Sequence, residues 1–251
     1  MALPTMPIEF SVAAYRLGHS MIRAGYSWNV NFPDATLDQL FDFSGLSGDL
    51  GGGTRLPNIW IADFRRLFKF ERADLVVPIG KFNRAMRIDT KLVNPLRHLR
   101  VPDPDPRKNL AFRNLTRANM VKLATGQQML TFLRSKGVTL TRLTTAQIRD
   151  GSNGATLAGL SPAARTAVLT NTPLWFYILR EAEFNGGKLG GVGARIVAET
   201  FHRAMEGSKF SIVRDTAFKP TLGPSKPNFA MTDLLLFAFR GMANLLNPLG
   251  D

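Results

Sequence analysis

Successive stretches of this chain carry apolar residues at helical spacing and are bounded by helix start and stop signals. That punctuation constrains the fold more than any other feature. In residues 9–23 Phe10, Ala14, Leu17 and Met21 mark one face of a helix, with His19, Arg16, Tyr15 and Val12 on the other side. Asn109–Lys122 and Gln127–Lys136 read the same way. Ser161-Pro162 and Thr172-Pro173 each set a capping side chain before a proline at the first helical position, starting helices that run through Val168 and Phe184. Gly190–Glu206 repeats the pattern with Val192, Ile196, Val197 and Phe201, and Thr232 is placed to cap a last helix over 233–246. A short helix is expected around Leu37–Phe43. It is followed by a Gly- and Ser-rich loop over about 44–58, then by Trp60–Lys69, where aromatic and basic residues alternate at helical spacing. The prolines of 101–108 predict an extended link between helical blocks. The expectation is a mainly α fold with few or no strands, over a single domain spanning 1–251.

The chain of 251 residues has no cysteine, which excludes zinc fingers, iron–sulfur clusters and disulfides. A formal net charge of +13 attracts polyanions, whether nucleic acid, anionic lipid or acidic ligands. Met1–Phe10 lacks a basic segment followed by a long apolar one, with Glu9 interrupting it, so no signal peptide is read there. Phe229–Phe239 is too short and, with Thr232 and Asp233, too polar to span a bilayer. The chain reads as soluble, with no transmembrane segment.

Three histidines, His19, His98 and His202, cannot build a multi-ligand transition-metal site without thiols, but they leave a single-histidine haem site open. His202, beside Glu199 and Arg203, reads as a surface residue, and His98 as part of a basic loop. His19 lies within an otherwise apolar helix, where a satisfied core imidazole is the ordinary reading.

The segment Met6–Ser20, MPIEFSVAAYRLGHS, resembles the proximal-histidine helix of the animal-type haem peroxidases, the peroxidase–cyclooxygenase superfamily, in its bacterial branch. The family pattern is close to F-x-x-A-[FY]-R-[FY]-G-H-[ST], with Leu17 here where an aromatic is usual. Further pieces resembling bacterial members follow in the same order: Arg87–Lys91, Asn109–Arg117, Thr125–Gln127, Thr172–Trp175 with Tyr177 and Glu181, and Gly193–Glu199. The resemblance covers about residue 6 to the C-terminus.

It implies that His19 is the proximal ligand to the iron of haem b and that Asn114 accepts a hydrogen bond from its other ring nitrogen. Arg117 is implied to meet a haem propionate, and Arg16 to serve either as a second propionate partner or in a salt bridge within the fold. The implied activity is hydrogen-peroxide-dependent oxidation of an electron donor that the resemblance does not name, with a dioxygenase role left open. In the family the distal histidine and arginine, the calcium-binding loop and the carboxylates that bond covalently to haem all precede the proximal helix. The chain therefore corresponds to the C-terminal, proximal portion, with a truncated product, a second chain carrying the distal half and a misplaced start site all open. It is expected to be a poor peroxidase alone and to self-associate or need a partner. Two other readings stand beside this one: an inactive helical interaction module, and a nucleic-acid or anionic-surface binder suggested by the charge and by Trp60–Arg72.

Overall fold

In the computed structural model, which describes residues 4–44, 52–222 and 228–251, the chain is mainly helical. The α-helices are α1 Ile8–Val12, α2 Leu37–Asp42, α3 Leu110–Met120, α4 Gly126–Ser135, α5 Thr145–Asp150, α6 Pro162–Thr170, α7 Leu174–Phe184, α8 Gly191–Gly207 and α9 Met231–Ala238. Among the described residues the one sheet is an antiparallel pair, β1 Gly25–Tyr26 with β2 Ala35–Thr36, in which Gly25 faces Thr36 and Tyr26 faces Ala35. Of the loop expected over 44–58, residues 45–51 lie outside the described residues. The chain divides into two compact units: Met1–Ile22, Met86–Leu99 and Asp103–Arg214 form the first, and Arg23–Ala85, Arg100–Pro102 and Asp215–Asp251 the second.

The first unit is built around α7. Nine of its eleven residues are buried, leaving no solvent face, as in a helix enclosed by others. Leu174, Trp175, Tyr177, Ile178, Leu179 and Ala182 pack with Phe10 and Ala13, with Met129, Leu130 and Leu133 of α4, with Ile148 of α5, and with Val192 and Ile196 of α8. Small residues permit the closest approaches. A Cβ at Gly126 would lie 2.0 Å from Tyr177 Cγ, and one at Gly193 2.4 Å from Ile178 Cγ2.

Burying α7 all round also buries three charged side chains. Arg180 pairs with Glu183 at 2.6 Å, both side chains sealed from solvent. Glu183 further accepts from Thr90 N–H at 3.0 Å and Ser152 N–H at 3.1 Å, and Arg180 donates to the Ala155 carbonyl. These bonds offset part of the desolvation of the pair, although Arg180 Nε is buried without a partner. Glu181 is less well served: Oε2 accepts from Gly193 N–H at 3.3 Å in the first turn of α8, while Oε1 is buried without a partner. Burial overrides these backbone donors and pushes its carboxyl from 4.5 up to about 7.

The second unit is held by short pieces. Phe70, Leu75 and Leu246 form its core with Phe64, Phe68, Leu235, Leu236 and Phe239 against them. Trp28 stacks on Trp60 at 5.2 Å, with Phe32 and Phe43 closing around the second ring.

Several boundaries differ from the sequence expectation for local reasons. The helix expected over 9–23 is an α-helix only to Val12. Ala13, fully buried at φ −127° and ψ −70°, breaks it, and Ala14–Met21 continues as a 3₁₀ helix. Trp60–Lys69 is two 3₁₀ turns, Asn58–Trp60 and Phe64–Arg66, because the Asp63 carboxylate takes the Arg65 N–H at 3.0 Å and restarts the chain. Thr172 does not cap α7: its hydroxyl donates to the Val168 carbonyl at 2.8 Å and accepts from Gln127, tying α6 to α4, and Pro173 precedes the helix. Thr232 likewise lies inside α9, whose free Ala230 N–H is met by the Asp233 carboxylate at 2.7 Å. That helix stops at Ala238, since Arg240 and Gly241 take positive φ and the Gly241 N–H turns back to the Leu236 carbonyl at 2.8 Å. The 101–108 link closes into turns at Pro104–Arg107 and Pro106–Asn109 instead of running extended. Asp103 is held there against Arg113 of α3 at 2.9 Å.

Two stability predictions follow from this packing. Gly126→Ala drives a methyl into the Tyr177 ring and is expected to destabilise by about 2–3 kcal/mol in urea unfolding, whereas Gly18→Ala, with open space around it, costs much less. Glu181 has a folded value raised above its unfolded one, so its contribution to stability is present below pH 4.5 and is lost as pH rises through about 7. Glu181→Gln should therefore gain on the order of 3 kcal/mol relative to wild type between acidic and mildly alkaline pH. Parallel stability profiles for the two proteins would refute this.

Candidate cofactor site around His19

A 3₁₀ helix stacks side chains at i and i+3 on one edge, and this places Arg16 and His19 side by side. The Ala14–Met21 turn is fixed from below by Trp175 of α7, whose indole N–H donates to the Arg16 carbonyl at 3.2 Å. Facing the edge from α3 is Asn114, whose residue exposure is 0%. Arg16 Nη1 donates to Asn114 Oδ1 at 2.7 Å, and Asn114 Nδ2 lies 2.8 Å from His19 Nδ1. The structure thus brings together His19, Arg16 and Asn114, which are far apart in sequence, with the amide between the other two.

This arrangement determines the state of the imidazole. Nδ1 accepts from the amide as oriented, so the proton of a neutral ring sits on Nε2. The sequence comparison anticipated the reverse, with Asn114 accepting from Nδ1–H. Arg16, a pure donor, draws the amide oxygen to itself. Burial, and then the Arg16 charge, hold the His19 imidazole below its ordinary range, which keeps it neutral. Burial and the neighbouring Arg117 charge likewise lower the Arg16 guanidinium.

Arg16 and Arg117 line one concavity of about 510 Å³ with Asp103, Arg107, Arg113 and Met120. Asp103, the one carboxylate in that lining, is engaged by Arg113 at 2.9 Å and Arg107 at 4.0 Å. The cavity is therefore strongly cationic and suited to a carboxylate-bearing ligand. Arg16 makes no ion pair among the described residues, so the salt-bridge alternative gives way to its bonds with Asn114 and, at 3.3 Å, the Ser11 carbonyl. Arg117 is exposed, on the α3 face one turn beyond Asn114.

Asp103, Arg107 and Arg113 were not singled out from the sequence. The signal available for them was the charge of the proline-rich link next to the α3 start. The role of Trp175 as the hook under Arg16 carried no sequence signal, since an indole on a buried helix reads as core. His98 and His202 are exposed and separate from this site. Among the described residues no group of three or more His, Cys, Asp and Glu is gathered for a metal ion, and no helix is long and apolar enough to cross a membrane.

The basic and aromatic stretch Trp60–Arg72 is partly interior, with Lys69 and Arg72 exposed. Trp60, Arg65, Arg66 and Phe70 are buried, and both arginines are bound to the Asp63 carboxylate at 3.0 Å. No protein-family model and no curated protein matches this chain.

The electrostatics predict a measurable titration. The His19 midpoint in NMR should lie below about 6.5, and Arg16→Gln, which removes a like charge, should raise it. With the folded value depressed, the stability that His19 contributes is present above the unfolded value and lost as pH falls through the folded one. An unchanged midpoint in Arg16→Gln would show that the imidazole does not feel the guanidinium.

Proposed function

We propose that this chain binds haem, with His19 as the residue that would hold its iron, and serves peroxidase chemistry. The observation that carries the reading is the fully buried Asn114 amide, clamped between Arg16 and the His19 ring. A partly buried imidazole held at one nitrogen by an orienting amide is how proteins present a histidine to a metal. It also agrees with the resemblance of Met6–Ser20 and Asn109–Arg117 to the animal-type haem peroxidases.

The residues fit the group in donor type and in charge. His19 is kept neutral, the form that ligates iron, and Arg16 and Arg117 line a cationic concavity that can receive propionates. Ligation through Nε2 requires the Nε2 proton to move to Nδ1. Asn114 then presents its oxygen to Nδ1–H by a half-turn of the amide, an exchange of nearly isosteric ends. The same half-turn sets the amide NH2 against Arg16, a second donor, so the Arg16–Asn114 bond gives way when Nδ1–H donates. When bound, haem would supply the reduction of hydrogen peroxide with electrons from a donor. His19 would hold the iron, Asn114 would fix the ring and tune its basicity, and the arginines would meet the porphyrin carboxylates.

A second reading, the inactive helical interaction module, is favoured by one observation. Phe112, Leu115 and Met120 lie exposed on α3, Met120 at 68%.

A haem titration followed by absorption separates the two. Stoichiometric binding with a histidine-ligated ferric spectrum is expected, abolished in His19→Ala and weakened about 10- to 100-fold in Asn114→Ala. Equal binding by wild type and His19→Ala, or binding by neither, rejects the haem reading and leaves the interaction module.

A further inference from the structure

The second unit carries an apolar protrusion that the haem site does not use. Leu75 is buried beside Phe70 and Leu246, but the chain immediately after it turns outward: Val76 is 60% exposed and Ile79 83%, with Pro78 and Gly80 also exposed. This loop is not slack. The Ala73–Leu75 and Ile79–Lys81 turns bracket it, closed by Leu75 N–H on the Arg72 carbonyl at 3.0 Å and Lys81 N–H on the Pro78 carbonyl at 2.9 Å. Its base is pinned by Asn83, whose backbone N–H donates to the Arg66 carbonyl at 2.9 Å. The Asn83 side chain donates to the Ser27 carbonyl at 2.8 Å and accepts from Ser27 N–H at 2.9 Å. Two large aliphatic side chains are therefore held out in water by a fixed frame, which forgoes the burial that a small rearrangement of a loose loop would recover.

Cations surround this tip. Lys69 and Arg84 line one concavity of about 430 Å³ together with Val76 and Ile79, over a floor that includes Phe70 and Phe82. Both are exposed and neither forms an ion pair among the described residues, whereas Arg65 in the same lining is bound to Asp63 and Asp251. Among the described residues no carboxylate lines the concavity itself. An aliphatic tip inside a cationic collar is complementary to one kind of surface, an anionic bilayer. There aliphatic side chains enter the boundary between headgroups and acyl chains while lysine and arginine meet lipid phosphates. Nucleic acid would use the cations but offers nothing to Val76 and Ile79, and single-strand binding calls for exposed aromatics, which 76–80 lacks.

We propose that the second unit docks on anionic lipid surfaces through residues 76–80, with Ile79 and Val76 inserted and Lys69 and Arg84 on lipid phosphates. The formal charge of +13 brings the chain to such a surface, and the tip gives it a defined attachment point.

The test is co-sedimentation of the full chain with phosphatidylcholine vesicles, with and without phosphatidylglycerol, at low and high salt. Binding is expected to the mixed vesicles and to be at least about tenfold weaker to phosphatidylcholine alone. Ile79→Ser, which changes no charge, should weaken it about tenfold, and Lys69→Gln and Arg84→Gln about fivefold each with a shallower salt dependence. All three positions are exposed, and thermal melts matching wild type will show that the fold is intact. The proposal is overturned by failure to bind the mixed vesicles, by equal binding to neutral ones, or by an Ile79→Ser protein that binds like wild type, which would reduce the effect to net charge. Haem plays no part in this assay, so its result is independent of the His19 reading.

Discussion

The enclosure of α7 is the constraint on which the first unit depends. A helix without a solvent face must be met on every side, and its neighbours are the 3₁₀ turn that carries His19 together with α4, α5 and α8. Enclosure also dictates how its polar groups are handled. Arg180 and Glu183 are bonded to each other and to Thr90, Ser152 and Ala155, with Arg180 Nε left without a partner, while Glu181 is left with one unpartnered oxygen and a carboxyl that titrates near neutrality. The first pair adds rigidity at little net cost, and the second group is a built-in weakness at high pH.

The candidate site inherits its precision from that core. Trp175 is itself part of the α7 packing, and its indole holds the Arg16 carbonyl. Arg16 then holds Asn114, and Asn114 holds the His19 ring. Each link joins residues that the core has already immobilised, so the imidazole is placed without a carboxylate partner and stays neutral. A carboxylate in place of the Asn114 amide would pair with Arg16 and draw His19 toward its charged form, which is a poor ligand. The choice of a neutral amide beside a guanidinium thus has a chemical consequence for anything that His19 binds.

The second unit works differently. Its buried charges converge on one carboxylate, Asp63, which receives both Arg65 and Arg66, and its aromatic residues cluster around Trp60. This explains why Trp60, Arg65 and Arg66, in a segment that reads as a basic, aromatic surface, are interior: the two charges have an internal partner. The cations that do face outward here, Lys69 and Arg84, are separated in sequence and meet only around the 76–80 loop.

The sequence by itself determined the mainly α class and the positions of most helices. Ser161-Pro162 and the helical spacing of 127–136 and 190–206 are local signals that act within a turn or two. It also marked His19, Asn114, Arg16 and Arg117, through resemblance and not through spacing. Tertiary structure decided what local signals do not contain. Thr172 abandoned its cap because Gln127 and Val168 offered it buried partners, and the 9–23 helix tightened to 3₁₀ because Ala13 is pressed into the core. The orientation of the Asn114 amide, the hook from Trp175 and the gathering of Asp103, Arg107 and Arg113 around Arg117 likewise depend on residues that are distant in sequence. Hydrogen-bond direction and charge compensation are set by whatever the fold brings within about 3 Å, and chain order does not encode those distances.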